Sequence, residues 1–274
     1  MRTERREGER RGGEESIREG EREDRGERSM RYLTLSEVLS TNSYCREHFK
    51  ELGLNICVRA LSQPEGRGQR GNSWESEPGK NLTFSILWKP AGLAPREQFS
   101  ISEATACGVV DYLESRGIEA RVTWPNEIYV GDKKICGILI EHSLIGNEMD
   151  YSIIGVGINV NQHDFISDAL NPVSMWQLTG KRYDLRQEME SVGEMIERNL
   201  EAIKDVEGRK DMHSRFLKKL WRGDGNGYRF RDVATGEEYM GVIKGIESDG
   251  FLNVLPSEGG DVRRYAFKEV EFIL

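Results

Sequence analysis

Two long β-branched runs, KICGILIEHSLI at 134–145 and DYSIIGVGINV at 150–160, are separated only by the polar GNEM. Segments this apolar must be covered on both faces, and so short a break between them predicts an antiparallel hairpin at the centre of a sheet. Around it, RYLTL, NICVRAL, NLTFSILW, ARVTW and EIYV read as further strands. Ser40-Thr41-Asn42 is a helix-cap cluster opening SYCREHFKELG, which Gly53 stops. A second helix, from about Arg96 to Arg116, sets Phe99, Ala106, Val109, Val110 and Leu113 on one face, with Gly117 as its C-terminal stop. Helical patterns return between Ser174 and Trp221. After RGDGNG, a linker by composition, short strands and turns follow to the end. The expected architecture is α+β: a mixed-sheet domain packed with helices over residues 30–222, then a small β-barrel over 227–274.

Composition excludes several classes. The chain has 39 basic and 47 acidic residues, a net charge of −8, which argues against nonspecific nucleic-acid binding. No run approaches the roughly 18 apolar residues of a membrane span, and no signal-peptide core follows Met1, so a cytoplasmic protein without a membrane partner is expected. Cys45, Cys57, Cys107 and Cys136 are scattered, without C-x-x-C spacing, and read as buried, reduced thiols. Residues 1–29 are almost wholly Arg, Glu and Gly and read as a disordered charged tail, because so little apolar surface does not offset the entropy of ordering.

The stretch GRGQRGNSW, from Gly66 to Trp74, has the spacing of a dinucleotide-binding loop. That reading needs a helix directly after the loop and an acid at the end of the next strand. Pro78-Gly79 follows instead, and the next strand ends in LWKP. No Gly-Lys-Ser/Thr closes a P-loop either. Arg67 and Arg70 among glycines instead suit a carboxylate or phosphate ligand that the backbone approaches closely.

Three more pieces belong with the loop. TWPNE places Trp124, Asn126 and Glu127 at a strand junction, and Lys134 enters an otherwise apolar strand seven residues beyond Glu127. A lysine there must meet an anion or a carbonyl, while Lys133 points to the opposite face. In GVGIN, Gly155 and Gly157 leave a strand face bare for something to lie against. STN at 40–42 offers short hydroxyl and amide groups to a polar head group. His142 reads as a packed core histidine.

Taken in order, STN (40–42), Q..GRGQRG (63–71), W.S..G.NL..S (74–85), WPNE (124–127), K..GIL.E (134–141) and GVGIN (155–159) resemble the biotin–protein ligase family over about residues 36–272. The resemblance implies a class II aminoacyl-tRNA synthetase-like (biotin–lipoate ligase) catalytic fold with an SH3-like C-terminal barrel. It implies an enzyme that uses ATP and Mg²⁺, with no dedicated metal site, to make biotinyl-5′-AMP, then biotinylates a lysine of a carboxylase's biotin carboxyl carrier domain. Ser40, Thr41, Asn42, Gln63, Gly66, Arg67, Gly68, Gln69, Lys134 and Gly137 would hold biotin. Arg70, Trp74, Asn126, Glu127, Gly157 and Asn159 would meet ATP and Mg²⁺, with Lys134, Arg67 and Arg70 catalytic. Three positions depart from the family pattern: Gln69 and Thr123 each replace a cation, and Glu127 replaces an aspartate. No helix-turn-helix precedes residue 30, so no DNA partner is expected, and a homodimer is compatible with the family. The alternatives are a lipoate–protein ligase or octanoyltransferase of the same fold, and a noncatalytic biotin-binding protein.

Overall fold

The computed structural model describes residues 30–68, 73–166 and 171–274, and the backbone of 16–18. Its larger sheet has eight strands: β1 (Ser16–Arg18), β2 (Arg31–Glu37), β3 (Ile56–Ser62), β4 (Leu82–Trp88), β5 (Arg121–Thr123), β6 (Glu127–Val130), β7 (Lys133–Ile145) and β8 (Glu148–Ile158). They lie in the order β1-β2-β3-β4-β8-β7-β6-β5, with only β2 and β3 parallel. The apolar runs form the β7–β8 hairpin, and β8 lies between β4 and β7.

Both faces are covered, which is why every residue of β4 is buried. On one face Leu82, Phe84, Ile86 and Trp88 join the main core with α3 (Phe99–Ser115), α5 (Leu185–Ala202) and α6 (Val206–Lys218). On the other, Leu87 packs with α1 (Thr41–Glu47) and α2 (Phe49–Leu52) through Cys45, Phe49 and Leu52. The helical stretch after Ser174 divides into α4 (Met175–Thr179), α5 and α6, because Gly180 adopts a left-handed conformation and Asp184 and Asp205 cap the next two helices. All four cysteines are free and buried.

Helices α3 and α5 meet where a Cβ on Gly108 would lie 2.8 Å from the Ile196 Cα. Gly108→Val is therefore expected to force the helices apart and to destabilise the protein by about 1–3 kcal/mol in chemical denaturation. An unchanged midpoint would show that this contact yields freely.

The C-terminal sheet comprises β9 (Tyr228–Asp232), β10 (Glu238–Ile246), β11 (Leu252–Pro256), β12 (Arg263–Tyr265) and β13 (Val270–Phe272), all antiparallel in the order β12-β11-β10-β9-β13. It is fastened to the larger sheet. Trp124 Nε1 donates to the Gly250 carbonyl at 2.9 Å, and Trp221 packs on Phe272. The junction read as a linker is partly fixed, because Arg222 stacks 4.0 Å from the Trp221 ring and donates to the Ile273 carbonyl.

Within the charged tail, residues 16–18 form a short strand antiparallel to β2. The outer edge of β2 offers unpaired backbone groups to any extended segment in reach, whatever its side chains. The rest of the tail lies outside the described residues.

Candidate active site

A cleft of about 690 Å³ opens on the α1 face of the larger sheet and runs to the C-terminal sheet. Ser40, Thr41, Asn42, Gln63, Arg67 and Gly68 line one end, and Trp74, Lys134, Gly137 and Gly157 the middle. Thr123–Glu127, Tyr129, Phe267, Lys268, Phe272 and Leu274 line the other end.

Lys134 reaches this cleft through an irregularity. Along β6 and β7, Ile128 pairs with Cys136 but Tyr129 pairs with Lys134, so Ile135 is an extra residue. With strict alternation Lys134 would share the face of Cys136 and Ile138, which are in the main core. The bulge turns it to the face of Glu127, and Nζ sits 2.5 Å from Glu127 Oε1. The lysine's own N–H donates to the Asn171 carbonyl and its carbonyl accepts from Val173, which fixes its backbone. Burial first, then the charge and hydrogen-bonding pull of Glu127, push the Tyr129 hydroxyl pKa up.

The glycines opposite one another on β7 and β8, Gly137 and Gly157, are not bare: the Trp74 indole lies on both. A Cβ on Gly157 would be 2.4 Å from Trp74 Cε2, and one on Gly155 would be 2.3 Å from Asn42 Oδ1. What lies against the bare strand face is the protein's own Trp74 and Asn42, and both Gly155 and Gly157 still line the cleft. Among the described residues the indole Nε1 and the Thr123 Oγ1 are buried without a hydrogen-bond partner, two polar atoms in the cleft wall that a ligand could satisfy. Gly157→Val is expected to lift Trp74 off the sheet and shift tryptophan emission to longer wavelength. The same substitution in a Trp74→Phe background should lack the shift.

At the α1 end, Gln63 Oε1 accepts from the Thr41 N–H at 2.6 Å, and Ser85 Oγ bonds Thr41 Oγ1 and Asn42 Oδ1 at 2.7 and 2.6 Å. Asn42 Nδ2 donates to the Leu139 carbonyl and to Glu141 Oε2. Asn42 is thus consumed in pinning α1 to the sheet, whereas the Ser40 side chain makes no capping bond. Arg67 lies at the loop base, where it bridges to Ser73 while Trp74 donates to the Gly66 carbonyl. Its guanidinium pairs with Glu141 at 2.6 Å, and Arg46 pairs with the same oxygen at 2.6 Å. Burial raises the Glu141 pKa, but Asn42, Arg67 and Arg46 outweigh it and hold the carboxyl below its ordinary value.

Gln69 and Arg70 lie outside the described residues. Asn126 lines the cleft, yet its Nδ2 donates to the Ile138 carbonyl at 2.6 Å. Asn159 does not line it: its Nδ2 donates to the Val173 carbonyl, behind Lys134. Both asparagines therefore hold backbone in this structure. His142 Nδ1 bonds Ser152 Oγ at 2.8 Å, and burial lowers its pKa, consistent with a packed histidine. Among the described residues no group of three or more His, Cys, Asp or Glu side chains could hold a metal, and no helix is long and apolar enough to cross a membrane. Sequence reasoning gave no role to Arg46 or to the C-terminal residues of the cleft, whose partners lie far away in the chain.

The cleft thus carries a lysine–glutamate pair at its floor and an arginine at its rim. Residues 37–159 match the Biotin/lipoate A/B protein ligase family. The chain is 27% identical over 220 residues to the bifunctional ligase/repressor BirA of Escherichia coli, covering 80% of this chain and 67% of that one. With BirA of Bacillus spizizenii the identity is 30% over 211 residues, covering 74% of this chain and 62% of the relative. The chain thus spans about two thirds or less of these relatives' length. A structure of biotin protein ligase from Aquifex aeolicus in complex with biotin and ATP superposes with a TM-score of 0.71, at 26% identity, over 88% of this chain and 97% of that one.

Proposed function

We propose that this chain is a biotin–protein ligase. The observation that carries the reading is Lys134, bulged onto the cleft floor beside Glu127 and beneath Trp74, with Arg67 at the other end. In the first step a biotin carboxylate oxygen attacks the α-phosphorus of ATP, and pyrophosphate leaves. In the second, the ε-amine of a carrier-domain lysine attacks the acyl carbon, and AMP leaves with the anhydride oxygen.

Two anions must meet in the first step, so the protein's part is positioning and charge neutralisation. Lys134 sits where it can bridge the carboxylate and the α-phosphate, and Arg67 faces the same product from the rim. Ser40, Thr41 and Gln63 offer hydroxyl and amide groups to the ureido ring. The orphaned Trp74 Nε1 and Thr123 Oγ1, with the Trp124, Tyr129 and Phe267 rings nearby, suit a nucleotide. Mg²⁺ fits as an ion held mainly by ATP phosphates, with Glu127 as the protein carboxylate at hand. This reading takes the eight-stranded sheet as class II synthetase-like and the C-terminal antiparallel sheet as SH3-like. The same reading takes a biotin carboxyl carrier domain as partner in a cytoplasmic setting, without DNA, and a homodimer would show in sedimentation.

The test is pyrophosphate release with ATP and biotin, lipoate or octanoate, followed by mass analysis of an added carrier domain. Release with biotin alone and a biotinylated carrier support the reading. Preference for lipoate or octanoate, or biotin binding without release, overturns it in favour of an acyl-chain ligase or a binding protein.

A further inference from the structure

Glu141 stands at the rim of the cleft and is not among its lining residues. It follows Gly137 and Leu139 on the same face of β7. Its Oε1 accepts from Arg46 and Arg67 Nη2, each at 2.6 Å, and its Oε2 from Asn42 Nδ2 at 2.8 Å. Asn42 is itself fixed by the Leu139 carbonyl and Ser85. The carboxylate is therefore held by the helix–sheet junction and in turn holds an arginine from the loop base. Two guanidinium groups share one carboxylate, so the cluster keeps one uncompensated positive charge at the rim. Among the described residues Arg67 Nη1 meets Ser43 Oγ, at 3.4 Å, a long contact that leaves it able to donate to a ligand oxygen.

Resting on the ligase reading, we propose that Glu141 is a positioning residue that, with Arg46 beside it, orients the Arg67 guanidinium to retain the acyl-adenylate. A side chain as long as arginine loses much rotamer freedom when it grips an anion, and a partner that fixes it beforehand removes part of that cost. Without the Glu141 charge, Arg46 and Arg67 repel one another, and Arg67 must be ordered anew at each turnover. The effect falls on retention of the intermediate rather than on its formation, because Lys134 stands elsewhere.

The experiment measures pyrophosphate release and biotin labelling of bystander serum albumin for wild type, Glu141→Gln, Arg67→Gly and the double variant. Glu141→Gln is expected to form adenylate within about threefold of the wild-type rate, yet to label albumin about tenfold more, the scale of one lost charge-assisted hydrogen bond. The double variant should label no more than Arg67→Gly alone, since Glu141 acts through Arg67. Unchanged labelling by Glu141→Gln, or an additive double variant, overturns the proposal. So does parallel loss of adenylation and melting temperature without extra labelling in Glu141→Asp, which keeps the charge but shortens the arm and serves if the Gln variant does not fold. Absence of biotin-dependent pyrophosphate release from wild type overturns the ligase reading itself, and this proposal with it.

Discussion

Lys134→Ala is expected to slow adenylate formation by about 10²–10³-fold, the usual scale for removing one preorganised charge contact. The bulge at Ile135 and the backbone bonds to Asn171 and Val173 fix this lysine before any ligand arrives, so little reorganisation is left for the reaction. Biotin affinity should fall far less, because Ser40, Thr41 and Gln63 line one end of the cleft and Lys134 its middle. Stability should change little, since Lys134 and Glu127 are 25% and 30% exposed and an ion pair so placed contributes about 1 kcal/mol or less. Single-turnover pyrophosphate release and biotin titration separate these effects. Near-normal release from the variant would remove Lys134 from the mechanism.

Arg67→Gly is the second large effect. The variant should still make adenylate but lose it to solvent, because the rim then lacks the guanidinium that faces the phosphate and carboxylate. Free acyl-adenylate acylates exposed lysines, so incubation with biotin, ATP, Mg²⁺ and serum albumin should give at least about tenfold more labelled albumin than wild type, the scale of one lost contact to a charged group. Gln69, where the family often carries arginine, makes some wild-type labelling part of the expectation. Equal labelling from a variant that still makes adenylate would mean that Arg67 does not retain the intermediate.

Much of the fold was legible because it rests on local pattern. The β7–β8 hairpin announces itself by two apolar runs that only burial on both faces explains, and Gly53 and Gly117 mark helix ends. A cation entering an apolar strand must find a partner, and for Lys134 that partner is Glu127. The lysine's route was hidden, because a one-residue bulge leaves no trace in an alternating sequence and simple parity sends Lys134 into the core. Asn42 and Asn126, ligand contacts by the family resemblance, line the cleft while their amides also donate to backbone carbonyls of β7, and Asn159 donates to the Val173 carbonyl; no local pattern records these bonds. Trp74 on Gly157, Phe267 beside Trp124 and Phe272 beside Trp221 are contacts across about eighty, well over a hundred and about fifty positions respectively, and no local periodicity records them.

The cleft has one wall on each sheet, with Trp124 fastened to Gly250 and Trp221 to Phe272 as its hinges. Detaching the C-terminal sheet would therefore remove one wall of the cleft, formed by residues such as Phe267, Phe272 and Leu274. Occupancy acts on that local opening before it acts on global unfolding: a ligand at a hundred times its dissociation constant adds about 2.7 kcal/mol against it. In the language of native-state fluctuations, substrate serves as a reversible cross-link between two cooperative units, and the least protected amides of the empty protein in β9–β13 become those that gain most from saturation.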